Sequence, residues 1–146
     1  MTALIVSAVL FAPAADPPKL SEAAQKELKK LEGKWKVQKM ATAGMEHTLG
    51  PNDPELVMEL KDGKWIFTGV EKAVVVALDP TADPKCIDLK SVEKGRNGAV
   101  DEAIYKLDGD TLSVCLYQGK GKQRPTSFDA PKERDTVLVV MKRFKE

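Results

Sequence analysis

Side chains that usually carry recognisable chemistry are scarce in this sequence. The chain has 1 histidine and 2 cysteines, and aromatic residues make up 5% of it. A single histidine, His47, excludes a metal site built from several imidazoles, and the spacing of the cysteines matches no zinc pattern. With so few aromatic residues, the chain has no stacking platform for single-stranded nucleic acid.

A strong charge of one sign is also absent. The chain has 23 basic and 22 acidic residues and a net charge of +1, whereas a nucleic-acid-binding surface shows a basic excess or stripe. No Gly-rich loop precedes a helix and no nucleophile elbow accompanies His47, so nucleotide-binding and Ser-His-Asp motifs are missing. The sequence therefore predicts no catalytic triad, no cofactor, no bound metal and no nucleic-acid partner.

An uncharged stretch is present at the N-terminus, where residues 3–15 read ALIVSAVLFAPAA. The apolar run 3–11 is too short to span a bilayer as a helix, and it fits the core of a secretory signal followed by small residues. A basic residue before the run is missing, so an upstream start or a buried N-terminal strand is the alternative. We predict a signal peptide over residues 1–15 and an extracytoplasmic protein, periplasmic or secreted, with no stable membrane insertion after its removal.

The two cysteines lie in different predicted strands. An extracytoplasmic location permits a disulfide. However, the strands that carry Cys86 and Cys115 are not neighbours in an up-and-down order, and a bridge needs Cα atoms within about 7 Å. We predict two buried or half-buried thiols, with a disulfide as the alternative.

A helical pattern follows a short proline-containing linker. Ser21 is suited to cap the helix, and Gly33 to end it. The apolar side chains that recur at helical spacing are Leu20, Ala24, Leu28 and Leu31. The pattern predicts one amphipathic helix of about three turns directly before the first strand.

Beyond Gly33 the apolar residues alternate with a period of two. Asp62-Gly63 and Asp108-Gly109 are hairpin signals, and no strand–helix–strand alternation is present. The count is about eight strands, and such a number closes readily into an antiparallel barrel that is either filled or holds one small ligand. Residues 19–146 are therefore predicted to form one all-β domain, an eight-stranded barrel with an N-terminal helix.

The two ends of the strand series carry a known pattern. Gly33-Lys34-Trp35 opens the first strand, and Arg143 lies near the end of the last one. This arrangement resembles lipocalin-like barrels, in which the tryptophan of a G-x-W motif is covered by an arginine from the far end of the chain. The resemblance implies that Trp35 and Arg143 form a structural closure pair. A guanidinium over an indole contributes about 0.5–2 kcal/mol.

Further short segments occur in a characteristic order along the chain. They are residues 31–37, 78–80, 84–89, 104–112, 123–128 and 142–143. As an ordered set they are similar to an uncharacterised family of small secreted domains common in planctomycete bacteria. The resemblance implies a lipocalin-like barrel outside the cytoplasm. It implies no reaction, because none is established for that family.

Three functions are compatible with such a barrel. The leading hypothesis is a non-enzymatic binder of a small apolar or amphipathic ligand, or of a protein partner through its loops. The second is a structural or protein-interaction module of the cell envelope, without a cavity, in which the same side chains fill a solid core. The ligand contacts predicted under the first hypothesis are Met58, Trp65, Phe67, Tyr105 and Arg124.

The third and least favoured hypothesis is an enzyme that uses Asp88, Arg124 and Tyr105. Arg124 precedes Pro125, which restricts it to an extended conformation. Such an arginine either binds an anionic ligand or anchors its loop to a nearby carboxylate, Asp88 or Asp110. We favour the anchor, because charged loop residues usually serve local structure.

Overall fold

The structure is a computed structural model, and it describes residues 20–119, 123–129, 132 and 135–144. The predicted signal peptide, residues 1–15, lies outside the described residues. Within the described ranges, no helix has the length and the apolar character that crossing a bilayer requires.

The predicted helix is present as α1 (Glu22–Leu31). Ser21 caps it, since its hydroxyl accepts a hydrogen bond from the Ala24 N–H at 3.1 Å. An acidic residue lies in the first turn and two lysines lie in the last turn, where each complements the helix dipole. The buried face carries Ala24, Glu27 and Leu31.

Nine strands follow the helix, and every pairing between them is antiparallel. They are β1 (Gly33–Thr42), β2 (Met45–Thr48), β3 (Val57–Lys61), β4 (Lys64–Phe67), β5 (Val70–Asp79), β6 (Lys85–Ser91), β7 (Val100–Asp108), β8 (Thr111–Tyr117) and β9 (Thr136–Arg143). Strands β3 to β9 pair in chain order, and β9 returns to pair with β1. This closure makes an eight-stranded barrel, which confirms the predicted fold class.

β2 is an addition to that barrel. It pairs only with the second half of β1, in the register Thr42 opposite Met45. The sequence pattern predicts a polar loop here, and the strand is missed because none of its four residues is buried. A strand that buries nothing shows no apolar alternation. The turn into it has positive φ at both Ala43 (51°) and Gly44 (80°), the geometry of a two-residue hairpin.

The two ends of the barrel are built differently. The helix end carries α1 and the turns at residues 62–63, 80–84 and 109–110. The loop end carries the turns at residues 43–44 and 68–69, the segment 92–99 and the long connection between β8 and β9. These names are used below for the two ends.

A second hydrophobic cluster lies on the outer face of the barrel. One cross-strand row, continuous through five strands, contains Ala41, Leu138, Cys115, Ile104 and Cys86. Phe128 packs against this cluster from the connection between β8 and β9. Residues 123–129 of that connection are called the strap. The sequence predicts a polar loop here, but the strap covers apolar surface.

The same row explains the state of the thiols. Ile104 stands directly between Cys86 on β6 and Cys115 on β8. Two strand spacings separate the cysteines by about 10 Å, beyond the reach of a disulfide. They are not joined in the structure, as predicted.

Candidate functional site

The residues predicted to close the barrel lie together at the helix end. Trp35 is fully buried, and the Arg143 guanidinium carbon lies 4.2 Å from the centre of its ring. Arg143 also donates hydrogen bonds to the carbonyls of Glu32 (3.1 Å) and Lys30 (2.9 Å). It thereby satisfies carbonyls that the end of α1 leaves without helical partners. These contacts join the end of α1 to the first and the last strand.

Gly33 makes room for this closure. Its φ is +124°, and a Cβ at this position would lie 3.1 Å from an Arg143 guanidinium nitrogen. A side chain would therefore both strain the backbone and push the guanidinium away from the helix.

A buried carboxylate ties α1 to the barrel. The Glu27 side chain is 6% exposed, and it accepts hydrogen bonds from the Lys85 ammonium (3.0 Å) and the Tyr105 hydroxyl (3.1 Å). Lys30 lies 3.3 Å from its other oxygen. Burial raises the pKa of Glu27, but these partners outweigh it and the net pKa is lowered. Burial, and then the neighbouring Glu27 charge, raise the pKa of Tyr105.

The sequence patterns do not predict this cluster around Glu27, although the sequence contains a signal for a buried carboxylate. Glu27 lies three residues after Ala24 and four before Leu31, so it belongs to the apolar face of the helix. A carboxylate at such a position needs a buried partner. The partners, Lys85 and Tyr105, lie 58 and 78 residues further along the chain, so local pattern does not identify them.

The predicted ligand contacts in the interior are packed into the core. Met58 is 0% exposed and Tyr105 1% exposed, while Trp65 and Phe67 are half-buried against the same cluster. A cavity of about 80 Å³ opens at the loop end, and Trp65 lines it beside Ala73, Leu89, Ser91 and Leu116. Sites for drug-sized ligands measure about 300–1,000 Å³. The cavity is therefore too small for such a ligand.

Arg124 lies outside the barrel and holds the strap against it. Its Nη1 lies 2.8 Å from the Asp88 carboxylate and donates a 2.8 Å hydrogen bond to the Ala103 carbonyl. Burial lowers the pKa of Arg124, but the interaction with Asp88 outweighs it and the net pKa is raised. Pro125 beside it is buried. The guanidinium that was considered for an anionic ligand thus contacts a carboxylate and a carbonyl of the barrel wall.

The three residues of the enzyme hypothesis do not converge. Asp88 alternates with Ile87 and Leu89, which belong to the interior core, so its side chain points outward to Arg124. Tyr105 is an interior residue. The wall of the barrel therefore stands between the phenol and the ion pair.

The loop end differs from the rest of the surface in its apolar exposure. Within the described ranges, the large hydrophobic residues that are exposed are Met45 (75%), Val70 (55%), Val92 (40%) and Val100 (40%). Three of them begin strands that start at this end, and Val92 directly follows β6 there. All four thus lie at one end of the barrel.

Ion pairs accompany these apolar residues. Lys72 binds Glu93 at 2.8 Å, and Arg96 binds Asp101 at 2.7 Å. Both pairs line the mouth of the small cavity. The loop end therefore combines exposed apolar groups with charges that already have partners. No sequence signal marks it, because exposure at a strand end depends on what the rest of the fold covers.

Larger clefts lie on the outer face beside the strap. One of about 550 Å³ is lined by Tyr117, Arg124 and Thr136, and one of about 510 Å³ by Ala41, Phe128 and Leu138. They share Asp129 and Lys132. These spaces lie between the strap and the barrel rather than inside it.

No family model, curated protein or solved structure matches the chain. The eight-stranded barrel agrees with the architecture that the resemblance implies. Membership of the planctomycete family stays a prediction.

Proposed function

We propose that the protein is a non-enzymatic interaction module that binds a protein partner through its loop end. The observation that carries this proposal is a contrast within the barrel. Met58 and Tyr105 are fully buried in the interior core and the pocket lined by Trp65 measures about 80 Å³, whereas the exposed large hydrophobic residues of the described ranges lie at one end. Exposed apolar groups that cluster mark interaction surfaces more often than scattered ones do.

The composition of the loop end supports a protein partner. Protein interfaces combine an apolar centre with a polar rim. Val70, Val92 and Val100 belong to three consecutive strands or their ends, and the pairs Lys72–Glu93 and Arg96–Asp101 lie beside them. Because these charges are already paired, covering them costs less than burying isolated charges.

The binding of a small apolar ligand, the leading hypothesis from sequence, has less support. It requires a larger internal space, and Met58 and Tyr105 already fill the core. The enzyme hypothesis has the least support, because the side chains of Asp88 and Arg124 lie outside the barrel and that of Tyr105 lies inside it.

Location outside the cytoplasm is part of the proposal and rests on the uncharged segment 3–15. We expect the mature protein to begin near Ala15 or Asp16. Mass spectrometry of the protein purified from its native host measures this directly. An intact chain including Met1, recovered from the cytoplasm, would contradict secretion.

Site-specific photo-crosslinking in the native host tests the binding face. A benzophenone amino acid is placed in turn at Val70, Val92 and Val100, with Lys29 and Lys61 as exposed controls at the helix end. We expect one discrete protein adduct from the loop-end positions and none from the controls. Equal labelling from both ends, or no adduct from any position, would refute the proposed face.

A ligand titration distinguishes the remaining alternative. Trp65 lines the small cavity, so its fluorescence reports on any molecule that enters there. A fluorescent fatty-acid analogue is expected to show no saturable quenching of Trp65. Saturable binding with one site per chain would restore the hypothesis of a small apolar ligand.

A further inference from the structure

β2 has a backbone edge without a strand partner. Among the described strands, all except β2 pair on both sides because the barrel is closed. β2 pairs with β1 alone. All four residues of β2 are exposed. We propose that this edge pairs antiparallel with β2 of a second copy of the chain, forming a homodimer.

The pairing with β1 determines which groups face the free edge. The Leu49 N–H donates to the Gln38 carbonyl at 2.9 Å, and Met45 is opposite Thr42 at the hairpin turn. In an antiparallel ladder the hydrogen-bonding groups of successive residues point to alternate sides. Met45 and His47 therefore bond toward β1, and Glu46 and Thr48 direct their N–H and C=O groups outward.

Only some registers are compatible with a second copy. When two residues lie opposite each other in an antiparallel ladder, their backbone N–H and C=O groups either both point toward the partner strand or both point away from it. A two-fold axis at Glu46 sets two carboxylates directly opposite each other, which is unfavourable. An axis at His47 sets Glu46 opposite Thr48 of the second copy and Met45 opposite its Leu49. This register forms about four backbone hydrogen bonds and covers the exposed Met45.

The edge is only partly protected against pairing. Met45-Glu46-His47-Thr48 contains no proline and its pairing with β1 has no bulge, whereas its short length and the charge of Glu46 are features that restrain edge-to-edge association. The charge of Glu46 is balanced by Lys39 at 3.3 Å. Because β2 is only four residues long, we expect a weak, reversible dimer rather than a permanent one.

Analytical ultracentrifugation across a concentration series measures this association. Thr48→Pro removes an N–H that faces the free edge without removing one that bonds to β1. It is expected to lower the association constant by at least about tenfold. Each copy of the dimer carries the substitution, so two hydrogen bonds across the interface are lost. Thr48→Val keeps the N–H and is expected to associate like the wild type.

A cysteine scan tests the register even if the proline variant folds poorly. With the axis at His47, the two His47 Cα atoms lie about 4.5 Å apart, within reach of a disulfide. In a Cys86→Ser background, His47→Cys is expected to form an intermolecular disulfide under mild oxidation, and Glu46→Cys is not. A monomeric wild type at all concentrations, undiminished association of Thr48→Pro, or equal crosslinking at both positions would overturn the dimer proposed here.

Discussion

The helix end and the loop end of this barrel differ in how far their side chains are buried and bonded to distant parts of the chain. At the helix end, Trp35 and Glu27 are buried and each has defined partners from distant parts of the chain. At the loop end, apolar side chains such as Val70 are exposed. The comparison shows that buried side chains with distant partners close one end, whereas apolar side chains are exposed to solvent at the other.

Backbone conformation differs less between the two ends. Among the described non-glycine residues, positive φ occurs at Ala43 (51°), Thr68 (47°) and Asp135 (72°) at the loop end, and at Asp62 (52°) at the helix end. Ala43, Thr68 and Asp62 each precede a glycine that also has positive φ, which is the geometry of a two-residue hairpin turn. Thr68 is the unusual residue among them, because a β-branched side chain disfavours this conformation.

The largest effect is expected from the closure pair. Trp35→Ala should lower the free energy of unfolding by about 3–5 kcal/mol, because it leaves a cavity and removes the surface on which Arg143 stacks. Urea denaturation measures the change. Trp65→Ala at the loop end is the matched control, and its cost should be smaller because Trp65 is only half-buried. Equal losses of unfolding free energy in the two variants would show that the two ends do not differ in this way.

The next effect concerns the buried carboxylate. Glu27→Ala leaves Lys85 and the Tyr105 hydroxyl without their acceptor, and an unsatisfied buried polar group costs about 1–3 kcal/mol. Thermal unfolding at neutral pH measures the loss. Glu22→Ala, in the exposed first turn of the same helix, should change stability by less than about 0.5 kcal/mol.

The pH dependence of stability follows from the same group. The pKa of Glu27 in the folded protein lies below its ordinary value of 4.5. Its carboxylate therefore contributes stability that is fully present above that pH and is lost as the pH falls through the folded-state value. Urea titrations in this acid range should show a shallower loss in Glu27→Gln than in the wild type. Identical slopes would mean that Glu27 is not charged in its site.

A smaller effect is expected from the strap. Arg124→Ala should cost about 1 kcal/mol, since the ion pair with Asp88 is partly exposed and screened by solvent. The strap should then open more often, so the Cys86 and Cys115 thiols should react faster with a thiol reagent. Gln123→Ala, an exposed neighbour, is the control. Unchanged stability and unchanged thiol reactivity would show that Arg124 is not an anchor.

The smallest effect is expected at the exposed apolar positions. Val100→Ser should change the free energy of unfolding by less than about 0.5 kcal/mol, because the side chain is already in water. Ile104→Ala on the same strand, where the residue is 1% exposed, should cost about 2–5 kcal/mol. Denaturant melts of the two variants compare them directly. A large loss for Val100→Ser would mean that this valine serves the fold rather than binding.

The features that could be predicted from sequence depend on short-range physics. Ser21 and the spacing of Leu28 and Leu31 indicate α1, because a cap and a helical stripe act within a few residues. Asp62-Gly63 marks a hairpin because few residues tolerate its backbone angles. The closure of Trp35 by Arg143 was predicted from a resemblance rather than from such local rules.

The features that were missed depend on what the rest of the fold buries or brings near. β2 has no alternation because it buries nothing, and Phe128 in the strap becomes half-buried only when an outer row of five strands forms beneath it. Glu27 lies on an apolar helix face, but Lys85 and Tyr105 reach it only after the barrel closes.

The sequence by itself determined the helix, the alternation along most strands and hence which side chains face inward or outward. Only the tertiary structure decided how much space the inward side chains leave, because packing depends on how eight strands bring their residues together. It also decided which end is covered. α1 connects directly to β1, so it lies over the helix end, and Val70, Val92 and Val100 at the opposite end stay exposed.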